Sequence, residues 1–133
     1  MFQHYLVFGG DCEEALETYG KAFGGKVTEL CRYGDIEGLA KLESQKRLVL
    51  HSTLTVGSGN IMCADSLEAT KCGDNMFVIP KFATVAEVKK AWNVLKDGGL
   101  VTEDLCEPFY AKIYGCVRDK YGINWMLMIE KKK

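Results

Sequence analysis

Apolar residues recur at three- and four-residue spacing in two stretches of the chain, and this spacing predicts two amphipathic helices. In the first stretch the recurring positions are Ala15, Leu16, Tyr19, Ala22 and Phe23. In the second stretch they are Val85, Val88, Ala91, Trp92 and Leu95. Asp11 is the candidate N-cap of the first helix. Before the second helix, Thr84 and Glu87 have the spacing of a capping box.

Each predicted helix is followed by nearly the same six residues. The chain reads GGKVTE from Gly24 to Glu29 and GGLVTE from Gly98 to Glu103. A Gly-Gly pair supplies the left-handed residue that ends a helix. Val-Thr favours the start of a strand, because β-branched residues suit an extended backbone. The repeated hexapeptide therefore predicts a helix end followed directly by a strand.

The strands predicted around the two helices also correspond. An apolar strand precedes each helix, at residues 3–8 and 75–80. Two strands joined by a turn follow each hexapeptide, at 48–56 with 60–64 and at 112–118 with 124–129. Each half is thus predicted to be β-α-β-β-β, with module one at about 1–66 and module two at about 74–130.

A half of about 60 residues buries little surface alone, so we expect both modules to share one α+β domain over 1–133. The expected architecture is a curved, mixed, eight-stranded sheet with helices on its convex side and a cleft on its concave side. The segment 34–46 has no counterpart in the second half. It is predicted to be a long loop with a short helix at 39–43.

Composition excludes several classes of function. The chain has a net charge of −1 and scattered basic residues, so nucleic acid is not an expected partner. The terminal Lys131-Lys132-Lys133 is interpreted as a solvated end. No apolar run approaches the ~18 residues of a membrane span, and the N-terminus lacks signal-peptide features. We therefore expect a cytoplasmic protein whose six cysteines are reduced and mostly buried.

The duplicated pattern resembles the vicinal oxygen chelate superfamily, which includes glyoxalase I, extradiol dioxygenases and bleomycin-resistance proteins. The resemblance is closest to the PhnB-like branch. It rests on GDCEEALETYGKAFGGKV, RLVLHSTLTVGSGNIMCAD, VKKAWNVLKDGGLVTEDLCEPFYAKIYGCVRDKYGINWML and the strand FQHYLVF. The resemblance implies the glyoxalase-like fold, a cleft for a small ligand and a homodimer, but no single reaction.

Proteins of this branch are sometimes labelled 3-demethylubiquinone methyltransferases. The chain is short for a doubly wound methyltransferase domain. Gly9-Gly10-Asp11 alone does not make the glycine-rich nucleotide loop that follows the first strand of such a domain. Methyl transfer is therefore not the activity that the sequence favours.

Metal-dependent relatives hold a divalent ion with residues of the first and last strands of each module. The corresponding positions fall on His4, on Cys63 or its neighbour, near Asn75, and on Met126, counted from Asp119. A neutral amide and a thioether are poor ligands for zinc, nickel or iron(II). We therefore expect no cofactor and no catalytic metal, while a divalent metal stays the alternative if the strand register slips.

His51 lies within a run of leucines in the third predicted strand. Leu48, Leu50 and Leu54 share one parity and should face the helix. Val49, His51 and Thr53 would then face the cleft. His51 is interpreted as a polar ligand contact or general base, or alternatively as a half-buried histidine bonded to a backbone carbonyl.

The second module offers further ligand contacts. Tyr114, Cys116 and Arg118 share one face of a predicted strand. Arg118 has two interpretations, an anion clamp or a partner of a neighbouring carboxylate. On the last strand, Trp125, Leu127 and Ile129 should pack under the helix, whereas Asn124, Met126 and Met128 should face the cleft, where the methionines could equally be core filler.

An aromatic pair precedes the strand of Tyr114. In EPFY, Phe109 and Tyr110 would form an aromatic wall of the site or pack at a dimer interface. Among the cysteines, Cys12 in the first turn of the first helix and Cys63, if it approached His4 or His51, are the candidates for a nucleophile.

Taken together, the sequence predicts a metal-free protein that binds a small organic molecule in an apolar cleft. The expected ligand-binding residues are His4, His51, Cys63, Asn75, Phe109, Tyr114, Arg118 and Met126. A sequestration or resistance role fits an apolar cleft with an aromatic lid. The alternative is a metal-dependent lyase, isomerase or dioxygenase, and a protein whose ancestral site has decayed is a third possibility.

Overall fold

The computed structural model describes residues 2–132, and the chain divides into two compact units, Met1–Thr70 and Lys71–Lys133. The first unit contains β1 (Tyr5–Phe8), α1 (Cys12–Phe23), β2 (Lys26–Arg32), β3 (Val49–Val56) and β4 (Gly59–Asp65). The second contains α2 (Val85–Lys96), β5 (Leu100–Cys106), β6 (Ala111–Arg118) and β7 (Asn124–Glu130). The predicted modules one and two lie within these units. Over residues 2–132, no helix is long and apolar enough to span a membrane.

The sheets confirm the α+β class and the duplicated module. The first sheet has the order β1-β4-β3-β2, with β1 parallel to β4. The second has the order β5-β6-β7. The strand predicted at 75–80 is reduced to one parallel bridge between Val78 and Trp125, so the described residues form sheets of four and three strands rather than one of eight.

Backbone pairing shows how the two first strands correspond. The Met62 amide donates to the His4 carbonyl at 3.1 Å, and the Met126 amide donates to the Val78 carbonyl at 3.0 Å. Val78 therefore occupies in module two the place of His4 in module one. Asn75 lies three residues before Val78 and is exposed, outside any strand.

Steric requirements explain the repeated glycines. Gly24 and Gly98 both have φ of 73°, in the left-handed region that glycine adopts at helix ends. A Cβ on Gly25 would lie 2.9 Å from the Thr55 carbonyl oxygen, and one on Gly99 would overlap the Arg118 carbonyl oxygen. In each module the first glycine ends the helix and the second lets the next strand begin beside the end of the central strand.

The two helices begin differently. α2 has the predicted capping box, because the Glu87 amide donates to Thr84 Oγ1 at 3.2 Å and the Thr84 amide donates to the Glu87 carboxylate at 3.1 Å. Asp11 precedes α1, but its side chain makes no capping bond. The buried Asp65 takes that role, since its Oδ1 accepts from the amides of Gly10 and Cys12 at 3.0 and 2.9 Å.

Each helix covers one face of its sheet. In module one the covered face buries Leu6, Phe8, Ser52, Leu54 and Cys63. In module two Gly115 leaves room for the Trp92 ring of α2, and Trp125 and Leu127 are buried on the same face, as predicted. The opposite faces are called here the open face of module one (Tyr5, Val7, Cys31, His51, Thr53, Met62, Ala64) and the open face of module two (Tyr114, Cys116, Arg118, Asn124, Met126, Met128).

Two details of the first module differ from the prediction. Val49 was predicted to share the face of His51, but it is fully buried. Cys31 pairs with His51, whereas the next residue, Arg32, pairs with Val49, so the regular alternation of faces is interrupted there. The loop before β3 has no helix at 39–43. It has two short 3₁₀ turns instead, Tyr33–Asp35 and Glu43–Gln45.

Candidate functional site

The open face of module two carries a compact apolar cluster. Ala111, Tyr114 and Cys116 are buried, and the half-buried Met126 and Met128 pack against them. The register accounts for this grouping, because Tyr114 is the cross-strand partner of Met128 and Cys116 is the partner of Met126. The prediction that these side chains share a face is confirmed. Two thioethers give the surface a soft, adaptable character.

Tyr114 connects this cluster to a carboxylate. The Cys116 thiol donates to the Tyr114 hydroxyl, with sulfur and oxygen 3.3 Å apart, and that hydroxyl donates to Glu103 Oε1 at 3.4 Å. The hydrogen bond with Cys116, followed by burial, raises the pKa of Tyr114. Burial likewise raises the pKa of Cys116. Both groups therefore stay neutral near pH 7, and the phenol serves as a hydrogen-bonding group rather than a base.

An aromatic ladder extends from Tyr114 towards solvent. The Tyr110 and Tyr114 ring centroids are 5.8 Å apart and nearly perpendicular, and those of Phe109 and Tyr110 are 5.2 Å apart at 89°. Phe109 is 88% exposed, in the turn between β5 and β6. Edge-to-face contacts of this kind stabilise aromatic pairs. The turn thus presents an apolar ring to solvent beside the open face of module two.

Arg118 lies at the end of the same face and binds neutral acceptors. Its Nε donates to Asn124 Oδ1 at 3.0 Å, and its Nη2 donates to the Gly73 carbonyl at 2.9 Å. Asn124 also donates to the carbonyls of Gly73 and Met76, which fixes the segment before the Val78 bridge. Within residues 2–132 no carboxylate forms an ion pair with Arg118. Within the part of the chain that the structure describes, the guanidinium is therefore held by neutral oxygen acceptors.

His51 lies on the open face of module one beside a partner that the sequence did not indicate. The Tyr5 hydroxyl is 3.0 Å from His51 Nδ1, and the two ring centroids are 5.7 Å apart. The cross-strand neighbour of His51 is Cys31. The placement of His51 opposite the helix is confirmed. Its hydrogen-bond partner is a side-chain hydroxyl and not the backbone carbonyl considered as the alternative.

The side chains predicted at metal positions have different surroundings. His4 is exposed and precedes β1. Cys63 is fully buried on the helix-covered face, so the prediction that it lines the ligand site is wrong. Thr53 pairs with Met62, and Cys116 pairs with Met126. Thr53 and Cys116 are equivalent positions, because each is paired with the glutamate of its hexapeptide. Met62 is therefore the counterpart of Met126. Among the described residues no three His, Cys, Asp or Glu side chains form a metal-binding group, and these thioether, amide and single-imidazole donors do not fit a divalent ion.

The cysteines divide into three environments. Cys12, Cys63 and Cys116 are buried, Cys31 is half-buried, and Cys72 and Cys106 are exposed, so half rather than most of them are buried. A hydrogen bond with Cys63, followed by burial, raises the pKa of Cys12. This neutral thiol has no access to solvent, so Cys12 does not qualify as a nucleophile. Cys63 and His51 lie on opposite faces of the sheet, so they do not form a Cys-His pair.

Comparisons with known proteins identify the family. The family described as 3-demethylubiquinone-9 3-methyltransferase matches residues 1–128. Protein YjdN of Escherichia coli K12 is 23% identical over 139 residues, covering 97% of this chain and 95% of YjdN. The crystal structure of PA1353 from Pseudomonas aeruginosa is 28% identical with a TM-score of 0.85, covering 99% of this chain and all of that one.

A second solved structure links the chain to the PhnB name. A Bacillus cereus PhnB protein, described as a possible 3-demethylubiquinone-9 3-methyltransferase, is 27% identical with a TM-score of 0.80, covering 96% and 98% of the two chains. A glyoxylase/bleomycin resistance protein/dioxygenase domain from Frankia shares the fold, with a TM-score of 0.69 at 13% identity over 98% and 97% of the chains. The chain therefore belongs to the family described as 3-demethylubiquinone-9 3-methyltransferase, it is similar to a PhnB protein, and it has the glyoxalase-like fold.

Proposed function

We propose that this protein binds a small organic anion with an aromatic body on the open face of module two, and does so without a catalytic metal ion. The apolar body would rest on Tyr114, Met126 and Met128, with Phe109 as an aromatic wall. The anionic group would lie near Arg118. Sequestering such a molecule requires binding but no catalysed reaction.

We base the proposal on one observation: an apolar cluster and an arginine without an ion-pair partner among residues 2–132 occur on the same strand. Tyr114 and Cys116 form the cluster, and Arg118 follows two residues later on the same face. Because Asn124 and Gly73 hold the guanidinium, little conformational entropy is lost when an anion binds to it. An arginine also pairs with planar oxyanions in a bidentate manner.

The family description names a methyltransferase, but two features argue against a nucleotide-type cofactor at the start of α1. The parallel pairings among the described residues are confined to β1 with β4 and Val78 with Trp125. The amides of Gly10 and Cys12 donate to Asp65, so neither is left for a cofactor at the start of α1. The proposal therefore takes the family's fold without that activity.

A fluorescent aromatic sulfonate, 1-anilinonaphthalene-8-sulfonate, tests the binding proposal. We expect one saturable site on the folded protein, measured by fluorescence and by calorimetry. Phe109→Ala should weaken binding about threefold to tenfold, because one ring contact is lost. Arg118→Gln should weaken it about tenfold, because a charge-assisted hydrogen bond is lost. Lys112→Gln is the matched control, since Lys112 is exposed on the same strand.

Equal affinities in the three variants would contradict the proposed site. Metal analysis of tag-free protein by plasma mass spectrometry tests the other half of the proposal. We expect a metal content far below one ion per chain and a melting temperature that does not respond to zinc, nickel, manganese or iron(II). Near-stoichiometric metal that is lost in His4→Ala would instead favour a metal-dependent lyase, isomerase or dioxygenase.

A further inference from the structure

The contact between Tyr5 and His51 determines what His51 can offer to a ligand. The Tyr5 oxygen is 3.0 Å from Nδ1, so the hydrogen bond occupies that ring nitrogen. Among the described residues, Nε2 has no such partner. His51 is half-buried on the open face of module one, so Nε2 is the nitrogen that remains for a ligand.

The hydrogen bond has two possible arrangements, and one is chemically favoured. Either the phenol donates to an unprotonated Nδ1, or a protonated Nδ1 donates to the phenol oxygen. Phenol is a better donor than acceptor, whereas an imidazole nitrogen with a free lone pair is a good acceptor. Burial also raises the pKa of Tyr5, so its hydroxyl keeps the proton that it donates. In neutral histidine, an Nδ1 that accepts this hydrogen bond carries no hydrogen of its own, so the ring hydrogen is on Nε2.

We infer that Tyr5 is a positioning residue that fixes the Nε2-protonated tautomer of His51, so that the open face of module one presents one N–H donor to a ligand oxygen. This donor persists when His51 is protonated, because both ring nitrogens then carry hydrogen. The group that it recognises is therefore an acceptor, such as a carboxylate or carbonyl oxygen, and not an O–H or N–H donor.

The surroundings of His51 define the rest of the ligand class. Val7, Met62 and Ala64 on the same face are apolar, and Val7 is 45% exposed. The hydroxyl groups of Thr28 and Thr55 form a hydrogen bond with each other, with 2.9 Å between the oxygens. The face therefore suits a small apolar body with one oxygen acceptor. Binding on this face is separate from the binding proposed for the open face of module two, and the tautomer of His51 depends on neither.

The tautomer is testable without any ligand. Nitrogen-15 long-range NMR spectra would be recorded at a pH of about 8.5, where an ordinary imidazole is neutral. His4→Gln simplifies the spectrum to His51, since the chain has two histidines. We expect a pyrrole-type Nε2 and a pyridine-type Nδ1. Tyr5→Phe should move the Nδ1 resonance towards that of an unbonded nitrogen, while Tyr33→Phe should leave it unchanged, because the Tyr33 hydroxyl donates to the Asp65 carbonyl.

A pyrrole-type Nδ1 in the wild type, or an Nδ1 resonance insensitive to Tyr5→Phe, would overturn the positioning role. Benzoate then tests the recognised group, with benzylammonium as the probe that lacks an acceptor. Benzoate should shift the Nε2 resonance saturably, and Tyr5→Phe should weaken that binding about threefold to tenfold. Benzylammonium should have no effect. If benzoate gives no saturable shift although the tautomer is as inferred, acceptor recognition by this face is overturned.

Discussion

Module one and module two place different side chains at corresponding positions of their central strands. Glu29 pairs with Thr53 and Glu103 pairs with Cys116, so Thr53 and Cys116 occupy one position of the repeat. Two residues earlier, His51 corresponds to Tyr114. The first open face therefore offers an imidazole, and the second offers a phenol within an apolar cluster.

The two hexapeptides, in contrast, have glycines at the same two positions in both modules. Gly25 and Gly99 each lie against the end of the central strand, where no Cβ fits. The contrast indicates that backbone geometry constrains the two modules alike, whereas the open faces are free to differ. We therefore expect substitutions at the shared backbone positions to affect stability, and substitutions on the open faces to affect binding.

The largest effects should come from two buried aspartates, one in each module. Asp65 accepts from the amides of Gly10, Cys12 and Val49. Asp119 accepts from the amides of Tyr121 and Ile123 and from the indole nitrogen of Trp125. Asparagine would turn an NH₂ group towards at least one of these donors. Asp65→Asn and Asp119→Asn should each lower the free energy of unfolding by about 3 kcal/mol, measured by urea denaturation.

Asp97→Asn is the control for the two aspartates, because Asp97 is exposed at the end of α2. It should change the free energy of unfolding by less than about 0.5 kcal/mol. Losses near 1 kcal/mol or less in both buried variants would mean that these carboxylates do not hold their loops as described.

The second glycine of each hexapeptide should come next. Gly25→Ala places a methyl group 2.6 Å from Val56 Cγ2, and Gly99→Ala meets backbone atoms of Arg118 and Asp119. Each change should cost about 2 kcal/mol of unfolding free energy, because backbone must move. Gly59→Ala is the control, since the nearest atom is 3.8 Å away. If only one of the two substitutions lowered the free energy of unfolding, the two hexapeptides would not be structurally equivalent.

Thiol labelling should separate the cysteines by environment. Iodoacetamide at pH 8, followed by mass spectrometry, should modify the exposed Cys72 and Cys106 first. Cys12 and Cys116 should react at least about tenfold more slowly, because both thiols are buried and each pKa unit lowers the thiolate fraction tenfold. The hydrogen bond with Cys63, followed by burial, raises the pKa of Cys12, and burial raises the pKa of Cys116. Rapid labelling of Cys116 in the folded protein would show that the open face of module two is not packed as described.

The smallest effect should come from an ion pair found in module one. Arg32 donates to both carboxylate oxygens of Glu13, at 3.1 and 2.7 Å. Arg32 lowers the pKa of Glu13, so the pair stabilises the fold above the usual pKa of 4.5 and loses that contribution as pH falls through the lowered value. Glu13→Gln should cost no more than about 0.5 kcal/mol at pH 7, because both side chains are largely solvated.

Urea denaturation at pH 7 and at about pH 3 measures this pair, with Glu17→Gln as the control. The difference between Glu13→Gln and the wild type should shrink at the lower pH. A difference that grows on acidification would contradict the assignment of the pair.

The sequence predicted the duplicated module because turn glycines and apolar periodicity are local signals. It also predicted which residues share a face on β6 and β7, since alternation is regular there. It misplaced Cys63, because strand register is set by pairing with β3 and by the β2–β3 irregularity near His51. Asp65 as the cap of α1 lies 54 residues from Asp11, and no local pattern indicates such a contact.

The partners of the candidate site residues were missed for a similar reason. Tyr5 and His51 are 46 residues apart, and Arg118 reaches Gly73 across 45 residues. The apolar character of residues 3–8 predicted a strand but could not indicate which side chain Tyr5 would contact. Such contacts depend on which strands become adjacent, and β1 meets β4 rather than β3.

Methionine methyl NMR tests the central claim most directly. The chain has five methionines, of which Met126 and Met128 lie on the open face of module two, whereas the side chain of Met76 is 79% exposed on the segment that Asn124 holds. EDTA-treated protein with ¹³C-labelled methionine methyl groups would be titrated with 1-anilinonaphthalene-8-sulfonate. We predict saturable shifts of Met126 and Met128 with no shift of Met76. Unchanged Met126 and Met128 resonances, or shifts that require added metal, would contradict metal-free binding on this face.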